Sequence, residues 1–80
     1  MMHELKILPE YFEQAKNGNK PFELRKNDRD YQTLDYIYLR EYWKGRYTGR
    51  DLVGKITYVL KDCEPYGLKK GFVVLGIKYQ

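Results

Sequence analysis

The alternation of apolar and polar residues predicts five strands and one short helix in this chain. Four segments carry apolar side chains at every second position, which is typical of a strand with one buried face. A fifth segment, near the end of the sequence, is almost continuously apolar. The predicted strands span residues 4–8, 20–26, 35–42, 51–61 and 72–79. Because a helical pattern separates the first two strands, the predicted order is β-α-β-β-β-β.

The predicted helix begins at Pro9 and ends at Asn17-Gly18. Proline suits the first helical position because its missing N–H is not needed there, and glycine commonly follows the last turn. The apolar stripe at helical spacing comprises Leu8, Tyr11 or Phe12, and Ala15. Such a stripe is typical of a helix that packs on a core, so we assign it to the core and not to a ligand site.

Two later segments predict which residues face the core and which strand lies in the middle of the sheet. The inward face of segment 51–61 is predicted to carry Leu52, Ile56, Tyr58 and Leu60. Gly54 lies on that same face and indicates a bend or a bulge. The apolar run over residues 72–75 predicts a strand that is buried on both faces, which places it centrally in the sheet.

The length of the chain limits the architecture to one domain, residues 1–80. A domain of this size buries only about 60% of the surface that its unfolded chain exposes. A closed or nearly closed sheet would help, because closure removes exposed strand edges. We therefore predict an α+β, mainly β fold, in the form of a small barrel of about five strands with one short helix after the first strand.

Several kinds of protein and site are excluded by what the sequence lacks. No apolar run reaches the roughly 18 residues of a membrane-spanning helix, and residues 1–6 do not resemble a signal peptide. We therefore expect a cytoplasmic protein without a membrane partner. Cys63 is the only cysteine and His3 the only histidine, which excludes an internal disulfide and a Cys/His metal site. No metal and no cofactor are expected.

Charge and tyrosine content point to an anionic partner. The net charge is +4, and there are nine tyrosines against one tryptophan and three phenylalanines. One face of the third strand is predicted to carry Tyr36, Tyr38, Arg40 and Tyr42. Aromatic rings interleaved with cations suit stacked bases and their phosphates, so Tyr36, Tyr38 and Arg40 are candidate nucleic-acid-binding residues. Alternatively, the tyrosines fill a small core and its rim.

The segment 18–25, GNKPFELR, gathers three charged residues beside the end of the helix. Alternation places Phe22 and Leu24 on one face of the second strand. Glu23 and Arg25 lie on the other face, and Lys20 lies just upstream. A carboxylate beside two cations predicts a site for an anion or a nucleotide. The alternative is a surface ion pair without function.

Each of these charged residues has a role that suits a nucleic acid. Lys20 would bind phosphate as a point charge, and Arg25 would fork onto a phosphate or stack on a base. Glu23 would orient Arg25 or accept hydrogen bonds from a base edge. Lys20, Glu23 and Arg25 therefore complete the set of candidate nucleic-acid-binding residues.

These features together resemble the ASCH domain, the activating signal cointegrator homology domain of the PUA-like β-barrels. The family pattern is roughly G-x-K-x-x-E-x-R after a strand and a short helix, followed by a G-D pair that opens the next strand. The first part is matched by Gly18, Lys20, Glu23 and Arg25. Asp35 matches the aspartate of the second part, whereas Leu34 replaces its glycine. The chain looks most similar to small bacterial and phage members that consist of this domain alone.

The resemblance implies RNA binding in a charged cleft beside the helix, and it leaves a regulatory role open. One branch of the family resembles amidohydrolases that act on acetylated cytidine through Lys, Thr and Glu, and some members are described as ribonucleases. Lys20 matches that lysine, but Glu23 stands where the branch has its threonine, so the nucleophile is absent. We do not expect an enzyme.

Two alternatives to RNA binding stay open. The first is hydrolysis of RNA or of a modified nucleoside, with Lys20 and Glu23 as the catalytic candidates. The second is a protein-interaction module that uses exposed tyrosines as its main contacts.

Overall fold

A computed structural model describes all residues 1–80 and contains one sheet and one α-helix. The elements in chain order are β1 (Met2–Ile7), α1 (Pro9–Lys16), β2 (Phe22–Lys26), β3 (Tyr36–Trp43), β4 (Arg46–Leu60) and β5 (Phe72–Tyr79). A short 3₁₀ turn, Glu64–Tyr66, lies between the last two strands. The predicted order β-α-β-β-β-β is confirmed. No helix of this structure is both long enough and apolar enough to span a membrane.

The five strands form one curled sheet in the order β1-β3-β4-β5-β2. β1 pairs with β3 in parallel, and the other three pairs are antiparallel. The expected closure is only partial, because β1 and β2 remain edge strands and the sheet is a half-barrel. Arg25 spans the gap between these edges by donating from Nη2 to the Lys6 carbonyl oxygen at 2.8 Å. The element list and the strand order confirm the predicted mainly β fold with one short helix.

The core fills the concave side of the half-barrel. Alternate residues of β1, β3, β4 and β5 supply its apolar side chains, together with Phe12 and Ala15 of α1. The buried cluster comprises Leu5, Ile7, Phe12, Tyr31, Ile37, Leu39, Ile56, Val73, Leu75 and Ile77. The apolar alternation of β1, β3 and β5 therefore specifies which face each of these strands turns inward.

The helix has the predicted ends, but its apolar stripe is narrower than expected. Asn17 caps it with backbone bonds to preceding carbonyls, and Gly18 comes next at φ +80°. Phe12 is the aromatic residue that enters the core, whereas Leu8 and Tyr11 are about half exposed. Leu8 and Tyr11 are thereby left on the surface next to β2, where they line a groove.

A bulge in β4 reverses the predicted face of its second half. The register shifts between Ile56 and Tyr58, so the residues after the shift exchange faces. Tyr58 and Leu60 were expected inward but are exposed, and Val59 packs against the core instead. The sequence pattern alone does not mark this extra residue.

Gly54 is required by close packing and not by a bulge. It pairs regularly with Ile37 on β3 and with Tyr79 on β5. A Cβ atom at this position would lie 2.5 Å from Ile77 Cγ2 and 2.9 Å from Tyr79 Cδ1. The glycine therefore lets the Ile77 and Tyr79 side chains lie directly over β4. β5 itself lies inside the sheet as predicted, although only its inward face is fully buried.

Leu34 occupies a backbone conformation that favours glycine. Its φ is +79°, while its side chain is mostly exposed and its N–H donates to the Ile56 carbonyl. The conformation costs a residue with a Cβ about 1–2 kcal/mol. The next residue, Asp35, is buried, so its contacts hold the turn in this conformation.

We expect Leu34→Gly to stabilise the protein. Relief of the strain outweighs the extra freedom of glycine in the unfolded chain, for a net gain of about 0.5–1 kcal/mol. That corresponds to a melting temperature roughly 2–8 °C higher for a domain of this size. Calorimetry of Leu34→Gly beside Lys70→Gly, a loop position without positive φ, provides the check. A lower melting temperature for Leu34→Gly would contradict the assignment of strain.

Candidate functional site

A surface groove runs along the gap between the two edge strands, and we call it the seam groove. It has a volume of about 470 Å³ and lies beside the start of α1. Its lining consists of Lys6, Ile7, Leu8, Tyr11, Lys20, Phe22, Glu23, Leu24 and Arg25. The three charged residues of the GNKPFELR segment thus line one accessible hollow.

The burial pattern of β2 is the reverse of an ordinary strand. Glu23 is only 3% exposed, whereas its apolar neighbours Phe22 and Leu24 are 44% and 55% exposed. Burial of a carboxylate is unfavourable unless charges and hydrogen bonds compensate it. The strand therefore turns its charged face into the protein and offers its apolar face to solvent along the groove.

Two cations compensate the buried Glu23 carboxylate. Lys20 Nζ lies 2.5 Å from Oε1, and Arg25 Nε donates to Oε2 at 3.1 Å. Each cation also bonds to the backbone, since Lys20 Nζ donates to the Phe22 carbonyl at 3.1 Å and Arg25 to that of Lys6. The cluster is thus anchored on both sides of the gap.

Aromatic rings flank this ion cluster. Lys20 Nζ lies 5.3 Å from the ring centroids of both Tyr11 and Phe22, within the range of a cation–π contact. Both rings are about half exposed. The groove therefore combines flat apolar surfaces with a fixed cation and a carboxylate, a combination that can hold a planar polar ligand.

Tyr79 is part of this environment, although nothing in the sequence pattern marked it. Its hydroxyl is buried and has no hydrogen-bond partner. Burial raises the pKa of the Tyr79 phenol, and the nearby Glu23 charge raises it further while Arg25 opposes it. The Tyr79 ring packs over Gly54 and also lies near Glu23 and Arg25. A change in the packing at Gly54 would therefore move a ring that borders the charged cluster.

The candidates on β3 lie on another surface. Tyr36, Tyr38 and Arg40 alternate with the buried Ile37 and Leu39, so they face outward from the convex side of the sheet. None of the three lines the seam groove. The structure therefore does not bring the six candidate residues together; it divides them between the groove and the convex face.

The convex side chains are already engaged with one another. The Tyr38 hydroxyl donates to Asp51 Oδ2 at 2.9 Å, a bond that raises the pKa of Tyr38. Arg40 pairs with Glu4 at 3.2 Å, and its guanidinium lies 3.7 Å from the Tyr47 ring centroid. These partners leave fewer free ring faces and cations than the sequence pattern suggests.

A second buried carboxylate, Glu41, joins the β3–β4 hairpin to the helix. Glu41 accepts from Thr48 Oγ1 at 2.6 Å and from Arg50 at 3.0 and 2.7 Å. Arg50 also pairs with Glu13 of α1 at 2.6 Å. The hydrogen bonds from Arg50 and Thr48 lower the pKa of Glu41. Its place at an inward position after Ile37 and Leu39 is the sequence signal that marks it.

Asp35 forms a third buried group with His3. His3 Nε2 lies 2.8 Å from Asp35 Oδ2, and the same oxygen accepts from the Gln32 N–H at 3.1 Å. The hydrogen bond with His3 lowers the pKa of Asp35 more than burial raises it. The His3 ring also makes an edge contact with Tyr31 in the core. This aspartate therefore ties β1 to the turn before β3.

We expect the protein to lose stability in acid through Glu41 and Asp35. Their folded pKa values lie below the unfolded values near 4, so they stabilise the fold above about pH 4. That contribution disappears as the pH falls through the lowered folded values. Urea unfolding from pH 7 to pH 2.5 should show this loss, and Glu41→Gln should flatten the profile. Glu64→Gln, an exposed control, should leave the profile unchanged, and an equal effect of both variants would refute the assignment.

No group of three or more His, Cys, Asp or Glu side chains is arranged to hold a metal ion.

Comparisons with known proteins give a family but no activity. Residues 2–77 match the family described as a domain of unknown function, DUF3850. The chain is also 40% identical over 58 residues to an uncharacterized 12.9 kDa protein in GpA 3'region of Escherichia phage P2. That alignment covers 72% of this chain and 53% of the phage protein, so the chain spans about half the length of the curated relative.

Proposed function

The chain belongs to the DUF3850 family, and we propose that it binds RNA in the seam groove. The buried ion cluster carries this proposal. A small domain gains little stability from a buried carboxylate held by two cations, because an apolar side chain would serve as well or better. A charged cluster that lines an accessible hollow, with exposed aromatic rings beside it, is better explained by recognition of a ligand.

The lining of the groove indicates the chemistry of the ligand. Tyr11 and Phe22 offer half-exposed rings on which a base can stack, worth roughly 1–3 kcal/mol per base. Arg25, which the buried Glu23 holds in place, can donate to the polar edge of that base, and Lys20 stands between the two rings. The net charge of +4 adds a general attraction to a polyanion.

We further propose that the half-barrel is a PUA-like fold of the ASCH type. The strand–helix–strand order and the convergence of Lys20, Glu23 and Arg25 on a cleft beside the helix support this assignment. Leu34 adds support, because it occupies a positive-φ conformation at the position where the ASCH pattern has glycine. The adjacent Asp35 has a structural role as the partner of His3.

The test is a binding screen by fluorescence anisotropy with short labelled single-stranded RNA and DNA across a salt series. We expect RNA affinity to fall steeply as salt rises. Tyr11→Ala, Phe22→Ala and Lys20→Ala should each weaken binding several-fold or more at fixed salt. Tyr58→Ala and Tyr66→Ala remove rings that lie away from the groove and are more exposed than those of Tyr11 and Phe22, so they serve as controls.

Two results would reject RNA binding in the groove. One is the absence of RNA binding by the wild type at low salt. The other is a loss of affinity in the Tyr58→Ala and Tyr66→Ala controls that equals the loss in the groove variants. The integrity of the RNA is monitored in the same reactions. Cleavage by the wild type but not by Glu23→Ala would replace binding with hydrolysis as the function.

A further inference from the structure

A second hollow adjoins the seam groove, and we call it the Arg29 pocket. It has a volume of about 430 Å³ and is lined by Glu4, Leu5, Lys6, Arg25, Arg29 and Tyr47. Lys6 and Arg25 line both hollows, so the two lie side by side along the gap between β1 and β2. The seam groove is lined mainly by apolar residues, whereas four of the six residues around the Arg29 pocket are charged.

The cations of the two hollows differ in whether a carboxylate already neutralises them. Lys20 and Arg25 share the Glu23 carboxylate. By contrast, Lys6 and Arg29 form no ion pair with any carboxylate of the chain within 4 Å. Arg29 lines only the Arg29 pocket, and Lys6 lies on the border between the two hollows, so the positive charge that is free to bind an added anion is concentrated at the Arg29 pocket.

The one carboxylate in the Arg29 pocket does not cancel these cations. Glu4 is paired with Arg40 at 3.2 Å on the convex side. Lys6 Nζ lies 4.3 Å from the Tyr42 ring centroid and 6.0 Å from that of Tyr47. These rings position the ammonium group without neutralising its charge.

We propose that the Arg29 pocket binds the phosphate of a nucleotide whose base occupies the seam groove. This deepens the proposed function and rests on it. Lys6 and Arg29 hold the phosphate, and Arg25 stands between phosphate and base. Arg25 is fixed there by Glu23 and by the Lys6 carbonyl at 2.8 Å, so the boundary between the two hollows is rigid. The recognised unit is a nucleotide of a single strand, because a base in the groove must be unpaired.

The test compares each of the four common ribonucleosides with its 5′- and 3′-monophosphates, by calorimetric titration at low salt. For the base that binds, we expect the wild type to prefer one monophosphate over the nucleoside by about tenfold. The double variant Lys6→Gln/Arg29→Gln should lose that preference. Arg29→Gln alone, at a residue that lines only the Arg29 pocket, should weaken monophosphate binding and keep the nucleoside affinity. Lys61→Gln/Lys78→Gln removes two exposed charges outside both hollows and should keep the preference.

The outcomes separate this proposal from the one on which it rests. If the wild type binds nucleosides or RNA but Lys6→Gln/Arg29→Gln keeps the phosphate preference, the phosphate site is refuted and RNA binding stands. An equal loss in Lys61→Gln/Lys78→Gln would also refute it, because the effect would be one of net charge. Absence of any binding by the wild type refutes both. Melting temperatures of the variants establish that each is folded.

Discussion

Arg25→Met is expected to lower the free energy of unfolding by about 2–4 kcal/mol. The substitution keeps the unbranched stem of the side chain but removes its ion pair with Glu23 and its hydrogen bond across the gap to the Lys6 carbonyl. Glu23 Oε2 loses its donor, and the Lys6 carbonyl on β1 loses the hydrogen bond that ties it to β2. Glu23 has almost no access to water, so solvent cannot replace the lost partner.

Urea unfolding monitored by circular dichroism measures this change as a lower midpoint at constant slope. Arg40→Met is the matched control, because it breaks the exposed pair with Glu4 and should shift the midpoint much less. Adding Glu23→Gln to Arg25→Met should restore part of the stability by removing the uncompensated charge. Equal shifts for Arg25→Met and Arg40→Met would show that the buried cluster does not hold the edges together.

Gly54→Ala is expected to destabilise the protein by about 1–3 kcal/mol, as overpacking of a core does. The new methyl group would overlap Ile77 Cγ2, at 2.5 Å, and Tyr79 Cδ1, at 2.9 Å. Both neighbours are held in the core of a sheet, so relief requires a shift of β5 against β4. The Tyr79 ring would move as well, and the charged cluster next to it would be disturbed.

Gly76→Ala on β5 is the control for this substitution. The nearest atom to its new Cβ would be Thr57 Oγ1 at 3.1 Å, the end of an exposed side chain that can rotate away. Thermal unfolding should therefore show a much smaller loss. Combined with Ile77→Ala, which removes the overlapping methyl, Gly54→Ala should cost less than the sum of the two single substitutions. Strict additivity would mean that the overlap is not the cause.

The sequence predicts most of the elements because their apolar patterns are regular. Strands β1, β3 and β5 carry apolar residues at alternate positions, and α1 has proline and glycine at its ends. The faces of β4 are only half predictable, since the bulge after Ile56 shifts the phase of the pattern. The open edges of the half-barrel depend on pairing between distant strands, which no local pattern encodes.

The candidate site is predictable in part, because local spacing along the chain limits how far apart its residues can lie. The spacing of Lys20, Glu23 and Arg25 puts them near one another whatever their surroundings, and they do line one groove. That Glu23 is buried while Phe22 is exposed could not be predicted, because apolar residues ordinarily take the inward face.

The convex face and the Arg29 pocket depend on tertiary structure that sequence patterns do not contain. Tyr36, Tyr38 and Arg40 share a face as predicted, yet that face is turned away from the groove. Lys6 and Arg29 are far apart in sequence and come together only when β1 lies across the gap from β2. Their lack of carboxylate partners is a property of the whole fold, and no motif records it.

The seam groove, and not the convex face, is the ligand site that we propose. The most direct measurement is an NMR titration of ¹⁵N-labelled wild type with the short single-stranded RNA that binds best, recorded as amide shift changes per residue. We predict the largest changes at residues 6–8, at Tyr11 and at residues 20–25. Changes confined to Tyr36, Tyr38 and Arg40 on the convex face, with the groove amides unmoved at saturation, would contradict the proposal that the ligand binds in the seam groove.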